Sequence, residues 1–125
     1  MEKVKIIECP RDAMQGIKTF IPTQRKVEYL QSLLRVGFDT IDFGSFVSAK
    51  AIPQMQDTAE VLAQLDLSQT QSKLLAIIAN TQGAMAASAH TEIQYLGFPF
   101  SISENFQMRN THKTIGESLV TLQEI

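Results

Sequence analysis

Apolar positions along the chain follow two periods, and the switches between them mark the predicted elements. Short β-branched or continuous apolar runs at 4–8, 40–43, 74–79 and 93–98 predict strands. The third is apolar throughout, as a parallel strand covered on both faces would be. Val27, Leu30, Leu33 and Leu34 recur at helical spacing, with Thr23 as the predicted N-cap and Gly37 as the stop. Asp57-Thr-Ala-Glu60 has the form of a capping box and predicts a second helix to about residue 65. Asn80 closes the third strand and caps a small-residue helix over 82–89. Thr114-Ile-Gly-Glu117 repeats the capping box before Ile115, Leu119, Leu122 and Ile125, which form one helical stripe. The stretches 9–21, 44–56 and 99–112 read as loops.

Four strand-then-helix units in succession predict an α/β chain of parallel β/α units with right-handed crossovers. A TIM (β/α)8 barrel takes about 250 residues, so four units are the first half of one, and residues 1–125 read as part of a single domain. The last stripe is still in phase at Ile125, with no glycine, proline or basic turn to stop it, and the chain is expected to be cut within that helix. The longer connections follow the strands. In this class ligands lie at the strands' carboxyl ends, where Arg11, Asp12, Asp42, Asn80 and Glu104 occur.

Composition narrows the partners. With 44% apolar residues the chain can build an ordinary core, and at net charge −2 its cations are scattered, with no run denser than Arg25-Lys26. That excludes a nucleic-acid footprint and a polybasic membrane patch. The charged start Met-Glu-Lys-Val-Lys interrupts any signal-peptide core, and the run 74–79 is far short of a membrane span of about 20 residues, so a cytoplasmic location is expected. Cys9 is the one cysteine and cannot form an internal disulfide; beside the candidate site it reads as a packed thiol rather than a nucleophile.

The chemistry concentrates at Ile6 to Gln15, where a β-prone run ends at Pro10 and presents Arg11 and Asp12 together. An adjacent guanidinium and carboxylate can serve as anion stabiliser and metal ligand, and they can equally form an exposed turn. The two histidines read as solvated: His90 near a helix C-terminus and His112 in the loop after the fourth strand.

Four stretches decide between those readings by what they resemble. Pro10-Arg-Asp-Ala-Met-Gln15 resembles the Pro-Arg-Asp-Gly-Leu-Gln of the 3-hydroxy-3-methylglutaryl-coenzyme A lyase family of metal-dependent TIM barrels. Ser45-Phe-Val-Ser-Ala-Lys50 and Ile52-Pro-Gln-Met55 resemble its Ser-Phe-Val-Ser-Pro-Lys and Val-Pro-Gln-Met, Asn80 with Gly83 its Asn-x-x-Gly, and Ser103-Glu104 with Phe106 and Asn110 the loop after its fourth strand. The ordered set covers nearly the whole chain, and the stretch Ser45 to Met55 discriminates best.

The resemblance implies a retro-Claisen cleavage of an acyl-CoA substrate to acetyl-CoA and acetoacetate, dependent on Mg²⁺ or Mn²⁺. It implies that Arg11 binds the thioester oxygen, Asp12 is a metal ligand, Gln15 helps hold the substrate and Asp42 orients Arg11. Ser45, Lys50, Asn80 and Glu104 become substrate-binding candidates on the same ground. The chain departs from the family pattern with Asp42 for glutamate, Ala13 and Cys9 for glycines and Ala49 for proline. It also lacks the family's His-x-His metal pair, so as an isolated polypeptide it is expected to bind metal poorly and to be inactive. A related carbon–carbon lyase or condensing enzyme on another acyl-CoA is the second reading. A catalytically silent half-barrel, closed by pairing as a homodimer, is the third.

Overall fold

In the computed structural model, which describes residues 3–125, four β/α units follow one another. The strands are β1 (Ile7–Glu8), β2 (Thr40–Ser45), β3 (Lys73–Ile77) and β4 (Ile93–Gly97); the helices are α1 (Pro10–Gln15), α2 (Thr23–Leu34), α3 (Thr58–Ala63), α4 (Thr81–Ser88), α5 (Glu104–Thr111) and α6 (Ile115–Glu124). One 3₁₀ turn, Pro53–Met55, precedes α3. The sheet order is β1-β2-β3-β4 with every pair parallel, so each strand neighbours the next in sequence. That progression is the one a (β/α)8 barrel uses, here through four of its units.

The core lies between sheet and helices. Ile41, Phe43, Leu74 and Ala76 point to the helical side and pack against Val27, Leu30 and Leu34 of α2 and Val61 and Leu62 of α3. Each large side chain buried there contributes about 1.5–3 kcal/mol. Strand alternation sends Asp42 to the other face, where it is nonetheless only 4% exposed because α1 lies over it. Small residues let α4 come close: a Cβ on Gly83 would lie 2.8 Å from the Phe46 carbonyl oxygen. Gly83→Ala should therefore cost about 1–3 kcal/mol by overpacking, against the roughly 1 kcal/mol that alanine normally gains over glycine in a helix. Urea unfolding reads the sign, and a variant as stable as the parent would show that the loop at Phe46 yields.

Several elements differ from the sequence expectation. β1 is two residues long, with Val4 and Ile6 exposed beyond its edge of the sheet, since it has a neighbour on one side only. The expected loop 9–21 begins with α1, because Pro10 takes the first helical position, where its fixed φ fits and its missing N–H is not needed. The expected loop 99–112 contains α5, capped by the Ser103 hydroxyl accepting from the Phe106 amide and closed by His112 in the left-handed region at φ 56°. Thr23 is the first residue of α2 rather than its cap, which is Pro22. Asp57 occupies the N-cap of α3, but its carboxylate does not cap.

That carboxylate is drawn into a buried ion pair. Lys26, 2% exposed, donates through Nζ to Asp57 Oδ1 at 2.6 Å and to the Gln54 carbonyl, and its ammonium sits 4.2 Å from the centre of the Phe20 ring. The Thr23 hydroxyl donates to Asp57 Oδ2 at 2.8 Å. The other expected caps form: Asn80 Oδ1 accepts from the Gly83 amide at 2.8 Å, and Thr114 and Glu117 exchange hydrogen bonds in a complete capping box. Gly37 ends the α2 region at φ 91°, a conformation that favours glycine.

Among the described residues no helix is long and apolar enough to cross a membrane. Tyr95 and Leu96 on β4 and Leu119, Val120 and Leu122 on α6 remain partly exposed. A cleft of about 490 Å³ lies at the amino end of the sheet between Val4, Ile6 and Phe38, away from the strand ends that carry Arg11 and Asp42.

Candidate active site

Four of the candidate residues meet at the carboxyl ends of β1 and β2. Pro10 starts α1 directly after β1, so Arg11 stands in the first helical turn and folds back onto β2. Its Nε donates to both oxygens of Asp42 at 3.2 Å, and Nη2 donates to Oδ2 at 2.6 Å. Nη1 donates to Gln15 Oε1 at 2.9 Å, one helical turn on, and to Asp12 Oδ1 at 3.3 Å. A guanidinium has five N–H groups. These contacts use four and leave one on Nη2.

The electrostatics keep Arg11 charged. Burial opposes its charge, but the hydrogen bond and negative charge of Asp42 outweigh it and raise its pKa above the ordinary value. Asp42 is short for this task relative to the glutamate of the family pattern, yet it reaches both Nε and Nη2. Ala13 lies inside α1, and His112 is the one described non-glycine residue with positive φ, so the alanine sits in helical backbone that favours it over glycine. Cys9 is exposed rather than packed as expected, yet its thiol is pushed up in pKa, first by partial desolvation and then by the Asp42 charge. A raised pKa keeps it protonated and makes it a poor nucleophile.

The remaining candidates sit in separate hydrogen-bond settings. Ser45 is buried, its hydroxyl accepting from the Val47 amide and its own amide donating to Thr58 Oγ1, which shapes the start of the following loop. Lys50 is exposed on that loop. Asn80 caps α4, and Glu104 Oε2 accepts from the Ile115 amide at the start of α6. His90 packs its ring against Phe46 at 5.5 Å.

The set does not amount to a divalent-cation site. Asp12 offers one carboxylate, its side chain 67% exposed, while both Asp42 oxygens are engaged by Arg11. Among the described residues no three His, Cys, Asp or Glu side chains come close enough to hold a metal, and Mg²⁺ asks for about six oxygen ligands in octahedral array.

Sequence reading passed over Gln54, Lys26 and Asp57 as site-supporting groups. The available signal was Lys26 four residues before Leu30, on the apolar face of α2, where an unpaired lysine would be costly.

No protein-family model matches the chain. It is 36% identical over 128 aligned residues to the cytoplasmic 3-hydroxy-3-methylglutaryl-CoA lyase of Rattus norvegicus, covering 99% of this chain and 36% of that protein. Further relatives include mitochondrial hydroxymethylglutaryl-CoA lyases and, in Pseudomonas aeruginosa, a 3-hydroxy-3-isohexenylglutaryl-CoA/hydroxymethylglutaryl-CoA lyase at 33% identity. Among solved structures, the HMG-CoA lyase of Brucella melitensis superposes with a TM-score of 0.91 at 33% identity, over 99% of this chain and 44% of that one. An HMG-CoA lyase of Acinetobacter baumannii, solved with coenzyme A and 3-methylmalate, gives 0.88 at 30% identity over 96% and 39%. By sequence and by fold the chain is a homologue of the 3-hydroxy-3-methylglutaryl-CoA lyases, spanning well under half the length of the relatives it matches.

Proposed function

We propose that this chain supplies the first four β/α units of a hydroxymethylglutaryl-CoA lyase barrel, and with them the oxyanion-stabilising side of its active site. The observation that carries this reading is Arg11, held by Asp42 on one edge and by neutral Gln15 on the other, with the exposed Asp12 on Nη1 and one Nη2 N–H unspent. In a retro-Claisen cleavage the substrate's tertiary alkoxide becomes the ketone of acetoacetate as the carbon–carbon bond breaks. The bonding pair passes to the α-carbon of the thioester, and negative charge collects on the thioester oxygen until that carbon is protonated to acetyl-CoA.

Arg11 is suited to that oxygen. Asp42 fixes the plane of the guanidinium, so little reorganisation is needed as charge develops. Gln15 is a weak, uncharged acceptor that a carbonyl oxygen can replace on Nη1. Asp12 is the carboxylate of this chain open to a Mg²⁺ or Mn²⁺ ion, which needs further ligands. Ser45, Lys50, Asn80 and Glu104 remain candidates for the substrate arm, with loop-shaping and capping as their visible work.

The test is a chimera in which this chain replaces the matching segment of the Brucella melitensis lyase. Release of acetyl-CoA and acetoacetate from hydroxymethylglutaryl-CoA is expected. A folded chimera that binds the substrate and leaves it intact overturns the reading. The 125-residue chain alone should show no turnover, and calorimetry should find its Mn²⁺ binding too weak to saturate at about 1 mM. The Pseudomonas aeruginosa relative, named for a longer acyl chain as well, favours a second substrate reading, and the same chimera assayed with both thioesters separates the two.

A cytoplasmic setting belongs to this proposal, supported by the cytoplasmic lyases among the relatives and opposed by the mitochondrial ones; fractionation decides. The exposed apolar residues of β4 and α6 support closure by more chain, and sedimentation velocity reads whether a second copy supplies it as a homodimer.

A further inference from the structure

The Pro-Gln-Met segment is the one discriminating motif to which neither chemistry nor capping has given a task. Gln54, at its centre, is 4% exposed and reaches across 33–37 residues to the chain segment leaving α1. Its Nε2 donates to the Ile17 carbonyl at 2.8 Å and the Thr19 carbonyl at 3.0 Å, and its Oε1 accepts from the Ile21 amide at 2.8 Å. Both donor hydrogens and one acceptor site of a single amide are spent on three alternate residues of the stretch 17–21. The backbone of Gln54 is itself pinned, its carbonyl accepting from buried Lys26.

α1 is too short to hold its own orientation, since six residues close very few internal hydrogen bonds. Its orientation is set at its ends. At the start it leaves β1 through Pro10, and in its last turn Met14 is buried in a pocket with Met55, Lys26 and Phe43. Immediately beyond it comes the segment that Gln54 clamps. Arg11, Asp12 and Gln15 all lie between these anchors.

We infer that Gln54 is a positioning residue for the Arg11 site: by clamping residues 17–21 it fixes the exit of α1 and with it the Arg11–Gln15 and Arg11–Asp42 hydrogen bonds. The inference rests on the proposal that Arg11 is the working group of a lyase, but its test reads geometry and does not depend on turnover. It also explains why a glutamine stands here. Glutamate keeps the acceptor for Ile21 and loses both donors to Ile17 and Thr19.

The experiment is hydrogen exchange by NMR on the 125-residue chain, comparing the Arg11 Nε–H, the Ile21 amide and the Ala76 amide of β3, which reports the sheet. Gln54→Met, matched in length and apolar, should speed exchange at Ile21 and at Arg11 Nε by about tenfold or more while leaving Ala76 unchanged. Gln54→Glu, with the shape retained, should move Arg11 in the same direction. Faster exchange at Ile21 with Arg11 unmoved in both variants would make Gln54 a loop fastener only and overturn the inference. So would an equal rise at all three probes, which would mean that it serves the fold as a whole. If Arg11 responds as expected while the chimera fails to cleave substrate, the positioning role stands and the lyase reading falls.

Discussion

Lys26→Met is expected to cost about 3–5 kcal/mol of folding free energy, the largest stability effect of any single change discussed for this chain. Methionine keeps most of the stem volume, so the loss comes from charge and hydrogen bonds. Asp57 would remain a buried carboxylate, its side chain 6% exposed, with only the Thr23 hydroxyl to answer it. The Gln54 carbonyl would also lose its donor. A domain of this size has about 5–15 kcal/mol in total, so the variant should unfold near ambient temperature, and its urea midpoint is best read from a baseline raised by an excluded osmolyte. The paired change Lys26→Met/Asp57→Leu removes both charges and should recover most of the loss, because desolvating two ions nearly cancels their attraction. A single variant that loses less than about 1 kcal/mol would show that the pair is solvated in practice and that its burial does not govern stability.

That ion pair also shows where sequence reading reaches its limit. Strands β2, β3 and β4 were legible because their β-prone apolar positions are local in sequence, and Asn80 and Thr114 because a cap is a contact between residues three apart. α5 was not, since a search for apolar period finds none: its one buried residue is polar, Gln107, satisfied by the Ser101 amide at 2.8 Å and the Ser118 hydroxyl at 2.7 Å. α1 was hidden for a different reason. Its proline marks the end of a strand and the start of a helix equally well, and six residues carry too little pattern to choose.

The candidate residues could be named from the sequence, but not their geometry. Arg11 and Asp42 are 31 positions apart, and nothing in composition or spacing pairs them; the family resemblance did so, and the structure joins them at 2.6 Å. Asp42 is one methylene shorter than the glutamate of the family pattern, yet its carboxylate faces Nε and Nη2 together. Asp57 shows the reverse error. Asp-x-x-Glu matched a capping box, but a buried lysine 31 positions earlier competes for the same oxygens at 2.6 Å, and a full charge outbids a backbone amide.

Arg11→Gln in the barrel-completing chimera should lower kcat by about 100- to 1000-fold, equivalent to roughly 3–4 kcal/mol of transition-state stabilisation. The loss should fall on kcat with KM little changed, because the thioester oxygen carries its full charge only as the carbon–carbon bond breaks. The variant has a confounding effect: Asp42, buried under the helix, loses its partner and the fold is weakened. Arg11→Gln/Asp42→Asn removes that strain by pairing two neutral amides. It should restore the unfolding midpoint toward the parent and leave kcat as low as in the single variant. Arg11→Lys keeps the charge but has no fork to meet Asp42 and the oxygen at once, so it should recover little. Asp42→Asn alone leaves Arg11 charged yet less firmly oriented, and its loss in kcat should be the smallest of the four. Recovery of turnover along with stability in the double variant would mean that Arg11 acts only as a structural counter-ion, and the oxyanion role would then have to be assigned to another group.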